Sequence, residues 1–284
     1  MNIKATPISD FTYTIADNRA IIGGYIGNEF DITIPSEIEE YKVDIAPYAF
    51  ESSGLVNVTL SEGITIIPHK AFYCCKGLKS VNIPESVSEI ADCAFWGCTN
   101  MEKVNLPKSI KKIGTRVFSD CQRLSEIRLP DGLEYIGERA FINTKIKQIQ
   151  IPYSVTFLGK EAFLCCDNLM SVRIEGNFDV IEESTFQSCE KLVSVTFGDK
   201  CRIKTIGKQA FYNCKILERI KLPDSLERIE TEAFMQCRLL SNIEFPDKKV
   251  KVRKSVFIDA PKPKITKNIK IIADPIGYYL FTDC

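Results

Sequence analysis

One short pattern, Ala-Phe-x-x-Cys-x-x-Leu, returns along the chain at an almost constant spacing. An isoleucine, leucine or valine stands five residues before each phenylalanine, and each copy has apolar side chains too widely spaced to bury themselves. Stacking of successive copies is then the only way to form a core, so the repeat predicts a solenoid. The ten phenylalanines, separated by 22 to 25 residues, are Phe50, Phe72, Phe95, Phe118, Phe141, Phe163, Phe186, Phe211, Phe234 and Phe257.

A second feature of each copy is a pair of apolar residues separated by one polar residue, often with a proline after it. Examples are Val81 with Ile83 and Val104 with Leu106. A period of two indicates a β-strand. Each coil is therefore expected to contribute one strand to a sheet that runs along the stack.

The spacing of Leu78, Val81, Ile83 and Ser86 resembles the leucine-rich repeat pattern L-x-x-L-x-L-x-x-N/C. The whole unit resembles the BspA-like leucine-rich repeat family over roughly residues 31–260. Serine replaces the expected asparagine in several copies. The resemblance implies a leucine-rich repeat solenoid that is β-rich, with short helical or irregular turns, as a curved single-domain stack of about ten coils with terminal caps.

The ends of the chain depart from the repeat, as expected where an open stack would expose its core. Phe11, Tyr13 and Ile15 alternate before Asp17-Asn18, which predicts a hairpin. We therefore divide the chain into an N-terminal cap with a hairpin and a partial first coil (1–40), the leucine-rich repeat solenoid (41–260) and a C-terminal cap (261–284).

Charge and hydropathy disfavour two classes of partner. The 37 basic and 37 acidic residues cancel, so no overall field attracts nucleic acid or an anionic membrane. No stretch approaches the roughly 20 apolar residues of a spanning helix. The N-terminal residues contain no apolar segment of a signal peptide. We predict no nucleic-acid binding and no membrane insertion.

The 12 cysteines are interpreted mainly as structural. A metal site is disfavoured because the chain has no C-x-x-C and one histidine, and no cofactor is predicted. Seven cysteines share one repeat position, held elsewhere by Ser53, Thr144 and Ala260, and are expected to form a buried ladder: Cys75, Cys98, Cys121, Cys166, Cys189, Cys214 and Cys237. The others are expected to be exposed and, if free, favour a reducing compartment: Cys74, Cys93, Cys165, Cys201 and Cys284.

An enzymatic function is disfavoured because the repeat places residues in equivalent rows and leaves few unique ones. His69 and Cys74 are the only candidates for a catalytic imidazole and thiol in one coil. His69 is better interpreted as a polar turn residue, at a position held by charged residues in other copies. We predict no catalytic residues and no enzyme.

The polar residues between the apolar pairs of the strands form the candidate partner-binding surface, which the resemblance places on the concave side. A polar, hydrogen-bonding surface suits a protein, with a glycan or a host or matrix protein as alternatives, and the edges or caps could support a homodimer. We call these residues the strand-face row: Asn82, Lys103, Asn105, Glu126, Arg128, Gln148, Gln150, Arg173, Arg219 and Lys221.

Two functions remain open from the sequence, besides a Cys-dependent enzyme. The resemblance implies surface adhesion or recognition by a non-enzymatic protein-interaction module, because BspA-like repeats occur in cell-surface and secreted proteins. The alternative is an intracellular scaffold or regulator with reduced thiols. The location stays open as well: the resemblance favours the cell surface or secretion, whereas the absent signal peptide and the cysteine content favour the cytoplasm.

Overall fold

The repeat folds into coils that stack through parallel β-strands. The computed structural model describes residues 6–261 and 269–275. It is a β-solenoid of about 11 turns with almost no helix, which confirms the predicted β-rich solenoid. The chain divides into two compact units, Met1–Lys145 and Ile146–Cys284.

The first unit contains one short 3-10 helix and 13 strands within the described residues. The helix is Ile8–Asp10 and the strands are β1 (Phe11–Ala16), β2 (Arg19–Tyr25), β3 (Asp31–Ile34), β4 (Glu37–Ile38), β5 (Tyr41–Ile45), β6 (Asn57–Leu60), β7 (Ile66–Ile67), β8 (Ser80–Asn82), β9 (Glu89–Ile90), β10 (Lys103–Val104), β11 (Lys112–Ile113), β12 (Glu126–Ile127) and β13 (Tyr135–Ile136). From β6 onward, each coil contributes one strand to each of two sides.

The second unit continues the same alternation. Its strands are β14 (Gln148–Ile151), β15 (Phe157–Leu158), β16 (Ser171–Ile174), β17 (Val180–Ile181), β18 (Ser194–Phe197), β19 (Thr205–Ile206), β20 (Arg219–Lys221), β21 (Arg228–Ile229), β22 (Asn242–Glu244), β23 (Val250–Arg253) and β24 (Ile269–Ile272). A 3-10 helix, Lys254–Phe257, follows β23.

The first side of each coil carries the alternating apolar pair. Strand β6 pairs in parallel with β3 and β8, and β16 pairs in parallel with β14 and β18. The apolar residues of these strands point inward, and Val81, Val104 and Val172 are at most 4% exposed. Because the side-chain period of a strand is two, the residues between them face solvent.

The second side consists of two-residue strands, each with one buried isoleucine. In the first unit, β9 pairs in parallel with β7 and β11, and β11 with β13. The serines that replace the expected asparagine lie in the turns before these strands. Three of these serines donate a hydroxyl hydrogen bond to a carbonyl of the preceding coil: Ser86 to Ile64, Ser109 to Val87 and Ser225 to Ile203, at 2.6–2.8 Å.

The third side is the turn around each repeated phenylalanine, which we call the Phe turn. In nine of the ten Phe turns, the residues two before and two after the phenylalanine adopt left-handed backbone conformations, as in Lys70 (φ 55°) and Cys74 (φ 55°) around Phe72. Such conformations are unfavourable for residues other than glycine unless the surroundings fix them. Here backbone N–H groups donate to the next coil, from Lys70 to Asp92, from Phe72 to Ala94 and from Cys74 to Trp96, at 3.1, 2.8 and 2.7 Å.

The core of each unit is a stack of phenylalanine rings. In the first unit the rings from Phe50 to Phe141 stack at centroid distances of 5.0–5.6 Å, with interplanar angles of at most 15°. In the second unit the rings from Phe163 to Phe257 stack at 5.3–5.9 Å. Each fully buried ring contributes about 2 kcal/mol through removal of apolar surface from water.

The N-terminal residues form two hairpins. Strands β1 and β2 are antiparallel, and Asp17 and Asn18 between them have positive φ angles of 49° and 60°, as a two-residue hairpin turn requires. Strands β4 and β5 are also antiparallel, with Glu39 and Glu40 at their turn. The proposed cap boundary after residue 40 lies in this turn.

The predicted C-terminal cap, 261–284, lies largely outside the described residues. Within it, β24 pairs in parallel with β23 and continues the sheet of the second side.

Candidate binding face

The strand-face row lies on the first side of the coils, and all ten of its residues are exposed. In the first unit, Lys103 pairs in backbone register with Glu126. Asn82 forms an isolated parallel β-bridge with Asn105 in the next coil. Arg128 follows directly after β12. The structure therefore brings these five residues together on adjacent strands.

The second unit carries the other five residues of the row. Gln150 of β14 pairs in register with Arg173 of β16. Arg219 and Lys221 belong to β20 and pair with Asn242 and Glu244 of β22. Parallel, in-register pairing thus repeats the exposed positions from coil to coil, as the alternation predicted.

The side chains of the row are almost free of intramolecular partners. Arg173 donates from Nε to Glu175 Oε1 at 2.6 Å. Within residues 6–261 and 269–275, the other nine side chains make no hydrogen bond or ion pair. Five cations and one carboxylate make up the charges of the row. It therefore offers open donors and acceptors with a positive balance.

Aromatic residues, which dominate the hot spots of many interfaces, lie instead on the Phe turns of the first unit. The rings of Tyr73 and Trp96 meet edge to face at 5.3 Å. Lys70 Nζ lies 5.1 Å from the Tyr48 and Tyr73 ring centroids, and the Arg116 guanidinium lies 5.3 Å from that of Trp96. A cation over the face of an aromatic ring is attracted to the ring electrons, so these contacts are favourable.

We call Tyr48, Lys70, Tyr73, Trp96 and Arg116 the aromatic patch, a feature that our sequence interpretation missed. Its signal was present in the repeat register. The patch residues occupy two positions of the repeat, two before and one after the phenylalanine, in four consecutive coils. One of them is the single tryptophan of the chain. Only the structure shows that these two positions are neighbours across coils.

The family of the chain can be read from its repeats. The repeat pattern of the BspA type leucine-rich repeat region matches six copies, over residues 43–170 and 156–284. These spans contain well over half of the 284 residues. The chain belongs to the BspA-type leucine-rich repeat family. Leucine-rich repeat proteins of this kind generally bind proteins and are generally non-enzymatic.

Solved structures of bacterial leucine-rich repeat proteins are similar to the chain. A leucine-rich repeat protein from T. pallidum is 26% identical, with a TM-score of 0.55, and the match covers 75% of this chain and 91% of that protein. A leucine-rich cell surface protein from Faecalibacterium prausnitzii is 24% identical, with a TM-score of 0.52, over 94% and 96% of the two chains. No curated protein matches the chain.

The cysteine ladder of this BspA-type repeat is a hydrogen-bonding element. All seven ladder cysteines are 0% exposed. The thiol of Cys98 donates to the carbonyl oxygen of Phe72 in the preceding coil at 3.1 Å, and Cys121 donates to Phe95 at 3.2 Å. Thr144, which takes the ladder position in its coil, donates its hydroxyl hydrogen bond to Phe141 at 2.9 Å. A small residue with a donor therefore suits the position.

Burial keeps four of the ladder thiols protonated. Desolvation raises the pKa of Cys75 and raises the pKa values of Cys98, Cys121 and Cys214 well above the ordinary value of a thiol. The thiolate is the form that binds metals and attacks electrophiles. These cysteines are consequently suited to packing.

The cysteines outside the ladder differ from one another in exposure. Cys74, Cys165 and Cys201 are partly exposed and form no disulfide within the described residues. The prediction of exposure was wrong for Cys93, which is 8% exposed. Cys93 lies close enough to Lys70 and Arg116 of the adjacent coils to interact with their charges. Cys284 lies outside the described residues.

The structure gives the His69 ring an aromatic neighbour. It meets the ring of Tyr48 edge to face at 5.4 Å. Among the described residues, no three histidine, cysteine or acidic side chains group as metal ligands do. Over the same residues, no helix is long and apolar enough to cross a membrane.

Proposed function

We propose that the chain is a non-enzymatic protein-interaction module that binds a protein partner on the strand-face row. The observation that carries this proposal is that nine of the ten row side chains are exposed and make no hydrogen bond or ion pair within the described residues. Charged and amide side chains spaced by in-register strands can hydrogen-bond to a partner without first breaking internal contacts. The five cations of the row favour an acidic partner surface.

We further propose that the partner is met outside the cell, as in adhesion or recognition. The resemblance to BspA-like proteins supports this step. The F. prausnitzii protein is described as a cell surface protein, but at 24% identity its likeness supports the fold alone. A protein or a glycan on a host or matrix surface is the corresponding partner.

A second candidate function is an intracellular scaffold or regulator. The observation that favours it is that 11 cysteines in the described residues form no disulfide, because cysteines that form no disulfide are typical of proteins in reducing compartments. Protease treatment of intact source cells, followed by mass spectrometry, separates the two. Released peptides would support the extracellular proposal, and protection until lysis would support the scaffold.

Charge reversal tests the strand-face row directly. The triple variant Arg128→Glu, Arg173→Glu and Arg219→Glu should weaken binding of a captured protein partner at least tenfold, since several cations of the row change sign together. The matched control is Lys108→Glu, Arg202→Glu and Arg238→Glu, three exposed cations outside the row. Biolayer interferometry measures affinity, and circular dichroism verifies folding. Equal affinities of the two folded variants would place the binding site elsewhere.

A further inference from the structure

A polar depression on the first unit lies outside the strand-face row, at the corner that follows the Phe turn in three consecutive coils. Its volume of about 540 Å3 is within the range of small-molecule sites. The lining combines amide, hydroxyl and cationic side chains: Thr99, Asn100, Gln122, Arg123, Asn143 and Lys145. None of these six side chains carries a negative charge.

The depression coincides with a shortened corner. The apolar residue that follows the phenylalanine comes six residues later in two of these coils, but Ile146 comes only five residues after Phe141. The same shortening occurs at Leu55, after Gly54. There the ring of Phe30 packs against the backbone, with its Cε1 3.7 Å from an ideal Cβ on Gly54. We attribute the depression to the corner before Ile146, which is one residue shorter and, unlike the corner at Gly54, has no aromatic ring among the residues that line the depression.

Two of the side-chain amides are oriented because their Nδ2 atoms hydrogen-bond to the protein. Asn100 Nδ2 donates to the carbonyl oxygen of Lys76 at 2.8 Å, and Asn143 Nδ2 donates to Asp120 Oδ1 at 2.9 Å. Asp120 also accepts from Trp96 Nε1 at 2.9 Å, which fixes its carboxylate. Both asparagines are therefore oriented by their nitrogen atoms, and their Oδ1 atoms remain as acceptors for hydroxyl groups.

Arg123 is the cation in the depression that we consider as an anion-binding group. Its side chain is exposed and makes no ion pair within residues 6–261 and 269–275. A guanidinium binds a planar or tetrahedral oxyanion through two parallel hydrogen bonds. The neighbouring Gln122 is also exposed and can donate or accept.

We infer that this depression binds an acidic sugar, whose hydroxyl groups donate to Asn100 and Asn143 and whose carboxylate or sulfate group accepts from Arg123. A neutral sugar would leave the guanidinium without its anion. An inorganic anion would leave the asparagine oxygens unused. This ligand goes beyond the proposed function, because it binds on a different side of the coil from the strand-face row.

Titration of the isotope-labelled full chain, monitored through the side-chain amide NMR signals of Asn100, Gln122 and Asn143, tests the inference. The probes are glucuronic acid, glucose 6-sulfate, glucose, sodium sulfate and a tetraglutamate peptide. We expect at least one acidic sugar to bind about tenfold more tightly than glucose and sodium sulfate, since loss of one charge-assisted contact costs about that factor. The better acidic sugar identifies the anionic group as carboxylate or sulfate.

The other outcomes overturn the inference. Sulfate that binds as tightly as the acidic sugars would indicate a simple anion site, and tighter binding of tetraglutamate would indicate a peptide site. No response of the three amides to any probe would exclude a site. Arg123→Gln should reduce the affinity for the acidic sugar about tenfold, whereas Arg238→Gln, which alters an exposed arginine outside the depression, should leave it unchanged. Equal affinities of these two variants would also overturn the inference.

Discussion

The Phe turns and the strand-face row belong to the same coils but follow opposite rules. Nine of the repeated phenylalanines, from Phe50 to Phe234, are at most 2% exposed, and the same residue type returns in every coil. The row residues are all exposed, and their types change from amide to cation to carboxylate. Burial thus constrains residue identity, whereas an exposed position is free to vary with the needs of a partner.

The largest expected effect comes from breaking the phenylalanine stack. Phe118→Ala removes a 0% exposed ring that stacks on Phe95 at 5.6 Å and on Phe141 at 5.5 Å. We expect the free energy of unfolding to fall by about 3–5 kcal/mol, because the variant loses apolar contacts and leaves a cavity. Urea unfolding followed by circular dichroism measures the change.

Arg128→Ala is the matched control for this variant. Arg128 is exposed on the strand-face row, and a surface substitution of this kind typically changes stability by less than about 0.5 kcal/mol. Similar losses in the two variants would contradict the contrast between the stack and the row.

Much of this architecture follows from the sequence because each buried position repeats. The phenylalanine register, the alternating pairs of the strands and the cysteine ladder all depend on burial, and a period in the sequence reports burial directly. The exposed positions of the strand-face row follow from the same alternation. A single sequence can therefore define both the core and the surface of the strands.

Other features depend on contacts between coils, which the register alone does not specify. Small polar residues such as Asp120 and Asn143 tolerate a left-handed backbone, but Tyr48 and Arg116 adopt it as well. Their conformations are fixed by backbone hydrogen bonds to the next coil.

The second prediction concerns pH and the ladder thiols. Burial raises the pKa of Cys121, so its thiol stays protonated in the folded state above pH 8.5, where an unfolded thiol ionises. The unfolded state then binds fewer protons, and the free energy of unfolding falls as pH rises. Each such thiol contributes up to about 1.4 kcal/mol per pH unit. Urea unfolding between about pH 7 and pH 9.5 in reductant measures the slope.

Cys121→Ser provides the control, because a serine hydroxyl does not ionise in this range. Its stability should decline less steeply with pH than that of the wild type, by about the contribution of one thiol. Slopes that agree would mean that Cys121 ionises equally in the folded and unfolded states, which would contradict its burial beneath the Phe turn.

The smallest expected effect on stability is that of Gln150→Ala, which we compare with a substitution of the adjacent residue in the same strand. Gln150 is exposed, whereas Ile149 is 5% exposed and points into the core. Gln150→Ala should change the free energy of unfolding by less than about 0.5 kcal/mol, and Ile149→Ala should lower it by about 2–5 kcal/mol. Urea unfolding of both variants makes the comparison.

Gln150→Ala distinguishes a role of the amide in partner binding from a role in stability. Its amide makes no hydrogen bond within the described residues, so its removal costs the folded chain almost nothing. A partner that hydrogen-bonds to this amide would bind several-fold more weakly. Weaker binding at unchanged stability would mean that the amide is present for the partner. A stability loss close to that of Ile149→Ala would instead mean that the strand-face row supports the fold, and the contrast with the Phe turns would fail.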